Sequence, residues 1–143
     1  MIDVAYVALG SNVGDRHGYL AEARRELAEL PGTRIVGVSS VEETEPLGGL
    51  EQPWYLNQMV AIETSLAPHE LLTKLQSIES RHGRVRRERW ASRTLDLDIV
   101  CYQHQSVHES GLQVPHPALV DRPFWQRELA ELRANAGDEA GDR

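Results

Sequence analysis

The residues most able to do chemistry lie in Leu95-Asp96-Leu97-Asp98-Ile99-Val100. On a strand, Asp96 and Asp98 share one face, about 6.5 Å apart along the chain, while Leu97 and Ile99 point the other way. Two carboxylates so placed repel each other, and a divalent cation between them removes that penalty. Magnesium suits such a pair, because it binds through one or two carboxylates and completes its shell with water and phosphate oxygens. A strand with one solvated acidic face has the same pattern. The preceding stretch, His82 to Arg93, supplies five arginines at Arg84, Arg86, Arg87, Arg89 and Arg93. Guanidinium forks match phosphate oxygens and keep their charge at neutral pH. Arginines beside Asp-x-Asp point to a polyphosphate neutralised by cations and metal together. A basic loop paired with nearby acids, or an RNA-binding loop stacking bases on Trp90, are the competing readings.

Three further groups stand out. Pro115-His116-Pro117 fixes one imidazole on a stiff loop, with Arg122 and Phe124 close behind; His116 reads either as a structural histidine, the commoner case for a lone imidazole, or as a donor to phosphate. Tyr55 and Asn57 bracket Leu56 and share a strand face. An Asn carboxamide offers both donor and acceptor to a flat heterocycle, and Phe124 can stack on such a ring. A strand-entry Asn satisfying a turn reads equally well. Gly10-Ser11-Asn12 is a glycine turn, and it lacks the lysine and spacing of a Walker loop.

These residues need a scaffold. Ile2–Leu9, Thr33–Val41, Leu56–Leu66 and Thr94–Tyr102 read as strands, and 16–30 and the segment after Pro68 as amphipathic helices. The segment Glu42–Tyr55, with its acids, two prolines and Gly48-Gly49, reads as a long loop, as does most of 103–121. Phe124–Arg133 reads as a last helix. The order β-α-β-β-α-β predicts an α+β fold, a ferredoxin-like antiparallel sheet with helices on one face and a C-terminal extension. The 143 residues make one domain over 1–133, with 134–143 expected to be a disordered tail. Cys101 is the only cysteine, which excludes an intramolecular disulfide and a cysteine-based zinc site and suits a reducing cytoplasm. No apolar run approaches the length of a membrane span. The 15 basic and 22 acidic residues leave a net charge of −7, unfavourable for general nucleic-acid or membrane binding. Yet 14 of the 15 bases are arginine, and six of these fall between Arg81 and Arg93.

Four blocks together resemble the 6-hydroxymethyl-7,8-dihydropterin pyrophosphokinase family. They are Ala8-Leu9-Gly10-Ser11-Asn12-Val13-Gly14-Asp15, Glu45-Pro46-Leu47 through Gln52-Pro53-Trp54-Tyr55-Leu56-Asn57, Gly83-Arg84 through Ile99, and Val114-Pro115-His116-Pro117 with Arg122-Pro123-Phe124. The resemblance implies transfer of the β,γ-pyrophosphoryl group of ATP to the pterin hydroxymethyl oxygen, with release of AMP. It implies two Mg²⁺ ions on Asp96 and Asp98, and catalytic contacts to phosphate from Arg84 and Arg93. ATP would also meet Glu79, Arg89, Trp90, Ile99, His116 and Arg122. The pterin would meet Thr44, Pro46, Leu47, Tyr55, Asn57 and Phe124. A monomeric cytoplasmic enzyme, with no nucleic-acid or membrane partner, is expected. Departures from the family pattern include Glu45 before Pro46, Ala91-Ser92 in place of a common Gly-Pro, a loop between Arg86 and Arg89 one residue shorter than in some relatives, and the polar run Trp125-Gln126-Arg127-Glu128. A non-catalytic paralogue that binds nucleotide or pterin is the rival within the resemblance.

Overall fold

The computed structural model describes residues 1–46, 53–83 and 94–141, with side chains up to residue 136. Among the described residues, seven strands and three helices run in the order β1 (Asp3–Ser11), α1 (Arg16–Ala28), β2 (Thr33–Val38), β3 (Glu42–Thr44), β4 (Tyr55–Thr64), α2 (Pro68–Arg81), β5 (Asp96–Tyr102), β6 (Val107–Glu109), β7 (Leu112–Val114) and α3 (Pro123–Gly141). A 3₁₀ turn at Pro117–Asp121 precedes α3. The main sheet has the order β2-β4-β1-β5, with β3 also paired to β4. Every pairing is antiparallel, so β2 runs parallel to β1 with β4 inserted between them. This is the ferredoxin-like split βαβ plan.

Local sequence explains the helix ends. The Asp15 carboxylate accepts the Gly18 N–H at 3.0 Å and caps α1, which buries Leu20, Ala23 and Leu27 on one stripe. Pro68 opens α2, and Glu70 reaches back to accept the Ala67 N–H at 2.9 Å. Gly83 follows the helix with φ +83°, a conformation that favours glycine. The carboxylate of Glu26 on α1 receives Arg81 and His82 at the end of α2, tying the two helices together.

The central strands β1 and β4 are buried on both faces, so they read as nearly continuous apolar runs. Val7, Leu9, Val60, Ile62, Leu97 and Ile99 meet the leucines of α1 and α2 on one side. Tyr6, Ala8, Met59, Ala61 and Val100 meet Trp125, Leu129 and Leu132 of α3 on the other. Helices therefore cover both faces, where the sequence suggested one.

Other differences are local. The second strand ends at Val38, and β3 lies inside the segment read as loop. Its acids are poor strand formers, but pairing with β4 outweighs that weak preference. The stretch 103–121 holds the β6–β7 hairpin and the 3₁₀ turn. The last helix runs eight residues beyond Arg133. Among the described residues no helix is long and apolar enough to cross a membrane.

Candidate active site

Antiparallel pairing brings ends of distant strands side by side. Glu42 lies opposite Asn57, Asn57 opposite Gly10, and Gly10 opposite Asp96, a single row across β3, β4, β1 and β5. Partnered residues share a face, and this is the face α3 only partly covers. The next row on β1 and β5 pairs Ala8 with Asp98. Beyond Asn57, Thr44 pairs with Tyr55. Carboxylates and carboxamide thus stand on one floor, separated by a residue without a side chain.

Gly10 makes this row possible. A Cβ there would sit 3.3 Å from Asn57 Oδ1 and 3.5 Å from the Tyr55 ring. Asn57 is buried, and its Nδ2 donates to Thr44 Oγ1 at 2.5 Å, which fixes the carboxamide plane. Tyr55, Thr44, Pro46 and Phe124 are half-buried. The sequence reads Gly10-Ser11-Asn12 as a turn after a strand ending at Leu9, but Gly10 and Ser11 belong to β1, and a glycine at the end of a buried strand often marks a close approach.

Asp96 and Asp98 are both half-buried on the open face, with the Asp98 side chain 42% exposed. Between them, the backbone N–H of Leu97 donates to Glu79 Oε2 at 2.7 Å. Glu79 is itself buried on α2, so its carboxylate pins the strand exactly where the two acids project, and it does so from the opposite face of the sheet. Hard oxygen donors, spaced two residues apart and open to solvent on a fixed strand, fit magnesium and do not fit a soft metal.

His116 faces the same acids. Its Nδ1 accepts the Ala118 N–H at 3.0 Å, which leaves the proton on Nε2, and Nε2 lies 3.9 Å from Asp98 Oδ1. Burial lowers its pKa, Asp98 opposes that shift, and Arg122 adds to it. The ring is therefore a neutral Nε2–H donor at pH 7. It stands edge-on to Trp125 at 5.0 Å, and the Arg122 guanidinium lies over the same indole at 4.3 Å. Trp125, buried in α3, thus braces both groups. Phe124 meets Trp125 edge-on at 6.4 Å.

Ile99 is buried on the face of β5 that packs against α1 and α2, away from the two acids. It borders a cavity of about 330 Å³ at the outer edge of β5, shared with Leu72, Asp98, Leu112, Gln113 and His116. Asp98 and His116 therefore join the floor to this cavity. Of the expected site residues, Leu47, Arg84, Arg89, Trp90 and Arg93 lie outside the described residues. Thr94, just beyond the arginine segment, donates through Oγ1 to the His82 carbonyl at 2.6 Å, so the described ends of that segment are joined.

The chain is similar to known proteins. Residues 6–134 match the family model described as 7,8-dihydro-6-hydroxymethylpterin-pyrophosphokinase. The chain is 43% identical over 140 residues to the 2-amino-4-hydroxy-6-hydroxymethyldihydropteridine pyrophosphokinase of Bacillus subtilis, covering 98% of this chain and 84% of the relative. It is 44% identical over 128 residues to the enzyme of the same name from Methylorubrum extorquens, covering 90% and 81%. The Pseudomonas aeruginosa enzyme of that name is 43% identical over 132 residues, covering 92% and 82%. Among solved structures, an HPPK-DHPS in complex with substrates superposes with a TM-score of 0.64 at 13% identity. That match covers 85% of this chain and 38% of the larger one, and it speaks for the fold alone.

Proposed function

The chain belongs to the 7,8-dihydro-6-hydroxymethylpterin-pyrophosphokinase family, and from that premise we propose how its own residues carry the reaction. It is a pyrophosphokinase of folate biosynthesis, with ATP as co-substrate. The pterin hydroxymethyl oxygen attacks the β-phosphorus of ATP. The bond from that phosphorus to the α,β-bridging oxygen breaks, AMP leaves with the oxygen, and the hydroxyl proton passes to solvent. Such a transfer needs alignment and charge stabilisation more than a covalent nucleophile.

Asn57, held by Thr44, reads the amide-like edge of the pterin, while Tyr55 and Phe124 wall the ring, and Pro46 and Leu47 are assigned to the pterin as well. Asp96 and Asp98 hold magnesium, two ions in this reading. When bound, magnesium supplies neutralisation of the triphosphate and acidification of the attacking hydroxyl. His116 donates Nε2–H to a phosphate oxygen without bringing a charge that would have to be lost on release. Arg122 adds a permanent cation beside it, and Arg84 and Arg93 are assigned phosphate contacts that stabilise charge as AMP departs. Arg89 and Trp90 are assigned to the nucleotide. The cavity beside Ile99 takes the nucleoside end of ATP, and Glu79 acts from behind the strand by holding Leu97. We read the enzyme as one domain acting as a cytoplasmic monomer, with no nucleic-acid or membrane partner.

The observation that carries this reading is the shared floor, where Asp96 and Asp98 stand beside Gly10 and Asn57 with His116 against Asp98. The test mixes protein, MgATP and 6-hydroxymethyl-7,8-dihydropterin and follows AMP by chromatography. AMP should form only when the pterin is present. Asp98→Ala should remove turnover while circular dichroism stays that of the parent. Full activity in that variant would make the acids structural, and no AMP from the parent would leave a non-catalytic binder.

A further inference from the structure

We propose that Glu42 and Glu128 share one proton, and that this carboxyl pair is a positioning element for the pterin seat, clamping β3 to α3 so that Thr44 stays within reach of Asn57. The proposal rests on the pterin reading of Asn57 given above.

Helix α3 turns Trp125, Glu128, Leu129 and Leu132 toward the sheet, a spacing of one buried helical stripe. Three of the four are apolar, and the fourth is a carboxyl with only 2% exposure. Among the described residues, neither oxygen of Glu128 has a hydrogen-bond donor. Glu42 on β3 is in a related position. Its Oε1 takes the Nε and Nη2 of Arg127 at 3.0 Å, but its Oε2 is buried without a donor. Three orphaned oxygens on two neighbouring carboxyls cannot all belong to anions, because each buried charge would lack compensation. A single bridging proton turns one carboxyl into the donor the other lacks.

Among the described residues, the other charges around the pair do not replace that proton. From α3 itself, Arg127 is already engaged with Glu42, and Glu131 accepts from the Ser40 N–H and Oγ. Beneath the helix, β4 presents Met59 and Ala61, neither of which titrates. Burial first, and then Glu42, push the pKa of Glu128 up to about 9. The bridge is therefore intact at neutral pH.

The pair reaches the pterin seat through β3. Glu42 is the register partner of Asn57, and Thr44, two residues on, is the acceptor for Asn57 Nδ2. Three residues of strand make a weak ladder by themselves, so side-chain anchorage decides where β3 sits. Ionising Glu128 puts its charge against the Glu42 carboxylate in a buried seam, which drives α3 and β3 apart and releases Thr44 from Asn57.

Calorimetry of the whole protein with 6-hydroxymethyl-7,8-dihydropterin and a non-hydrolysable ATP analogue, at about pH 7 and about pH 10, tests this. At about pH 10 roughly a tenth of the parent protein keeps the bridge, so its pterin Kd should rise about tenfold. Glu128→Gln carries an amide donor that cannot ionise, and its Kd should change by less than about twofold. Titration of the pterin itself is common to both proteins and cancels in the comparison. Glu42→Gln serves as a second variant and should also flatten the profile. In turnover, the parent's loss at high pH should appear in the pterin KM and leave kcat in place. Equal pH dependence in parent and variants overturns the proposal. Absence of pterin binding to the parent at both pH values overturns the pterin reading itself.

Discussion

At the scale of single residues, the site depends on groups whose atoms are held by neighbours that do no chemistry. Asn57 is useful because Thr44 fixes its amide and Gly10 leaves its carbonyl oxygen room. Gly10→Ala places a methyl carbon 3.3 Å from that oxygen, closer than the carboxamide tolerates without turning. The fold should survive, since Gly10 has an ordinary strand conformation. The pterin KM should rise about three- to tenfold, the worth of one hydrogen bond, with kcat little changed. An unchanged KM would show that Asn57 needs no such clearance. This much was partly legible in the sequence. Asp96 with Asp98, and Tyr55 with Asn57, were paired by strand alternation alone. The role of Gly10 was not, because it follows from strand register, which links residues some fifty and ninety positions apart. The arrangement around His116 was half legible: its prolines marked a fixed ring, but the Ala118 N–H that settles its tautomer appears only in three dimensions.

At the scale of elements, the departures from expectation lie where tertiary contact overrides local preference. The segment Glu42–Thr44 is acidic and short and reads as loop, yet β4 recruits it as a strand. In α3, Trp125, Leu129 and Leu132 are readable as a stripe, but a glutamate between them is assigned to solvent by any pattern rule, and here Glu128 is buried. That burial has a cost that depends on pH. The folded-state pKa of Glu128 is raised from its ordinary 4.5 to about 9, so the folded protein keeps a proton that the unfolded chain releases. Stability is thus greatest below about pH 4.5 as far as this group is concerned, falls as pH rises, and levels off above about pH 9. Glu128→Gln removes this dependence. Its melting temperature should match the parent's near about pH 5 and exceed it by several degrees near about pH 9. Thermal melts followed by circular dichroism decide this, and a constant difference across that range would mean that Glu128 does not titrate between its two values.

At the scale of the whole molecule, the sheet has two polar ends. Strands β1, β4 and β5 bring Gly10, Asn57 and Asp96 together at one end, because antiparallel neighbours place a strand finish beside two strand starts. That is why motifs far apart in the sequence converge, and why their order along the chain carries information about the site. The other end is a clasp. Asp3, at the start of β1, is buried with 4% exposure. Its carboxylate accepts the N–H groups of Val4 and His104, the His104 ring and the Gln105 amide. Burial acts to raise its pKa, but these hydrogen bonds together outweigh it, and the value is lowered from 3.8. A depressed pKa means stability that is present above the unfolded value and lost as pH falls through the folded one. Asp3→Asn should therefore destabilise the protein by about 1–3 kcal/mol at neutral pH, read by urea unfolding. The difference from the parent should shrink as pH drops below 3.8, because protonated Asp3 is no better an acceptor than the amide. Since the clasp lies at the opposite end of β1 from Gly10, kcat and both KM values should stay those of the parent while the fold holds. Loss of activity without loss of stability in this variant would mean that the two ends of the sheet are coupled, and that the strands do more than carry the site.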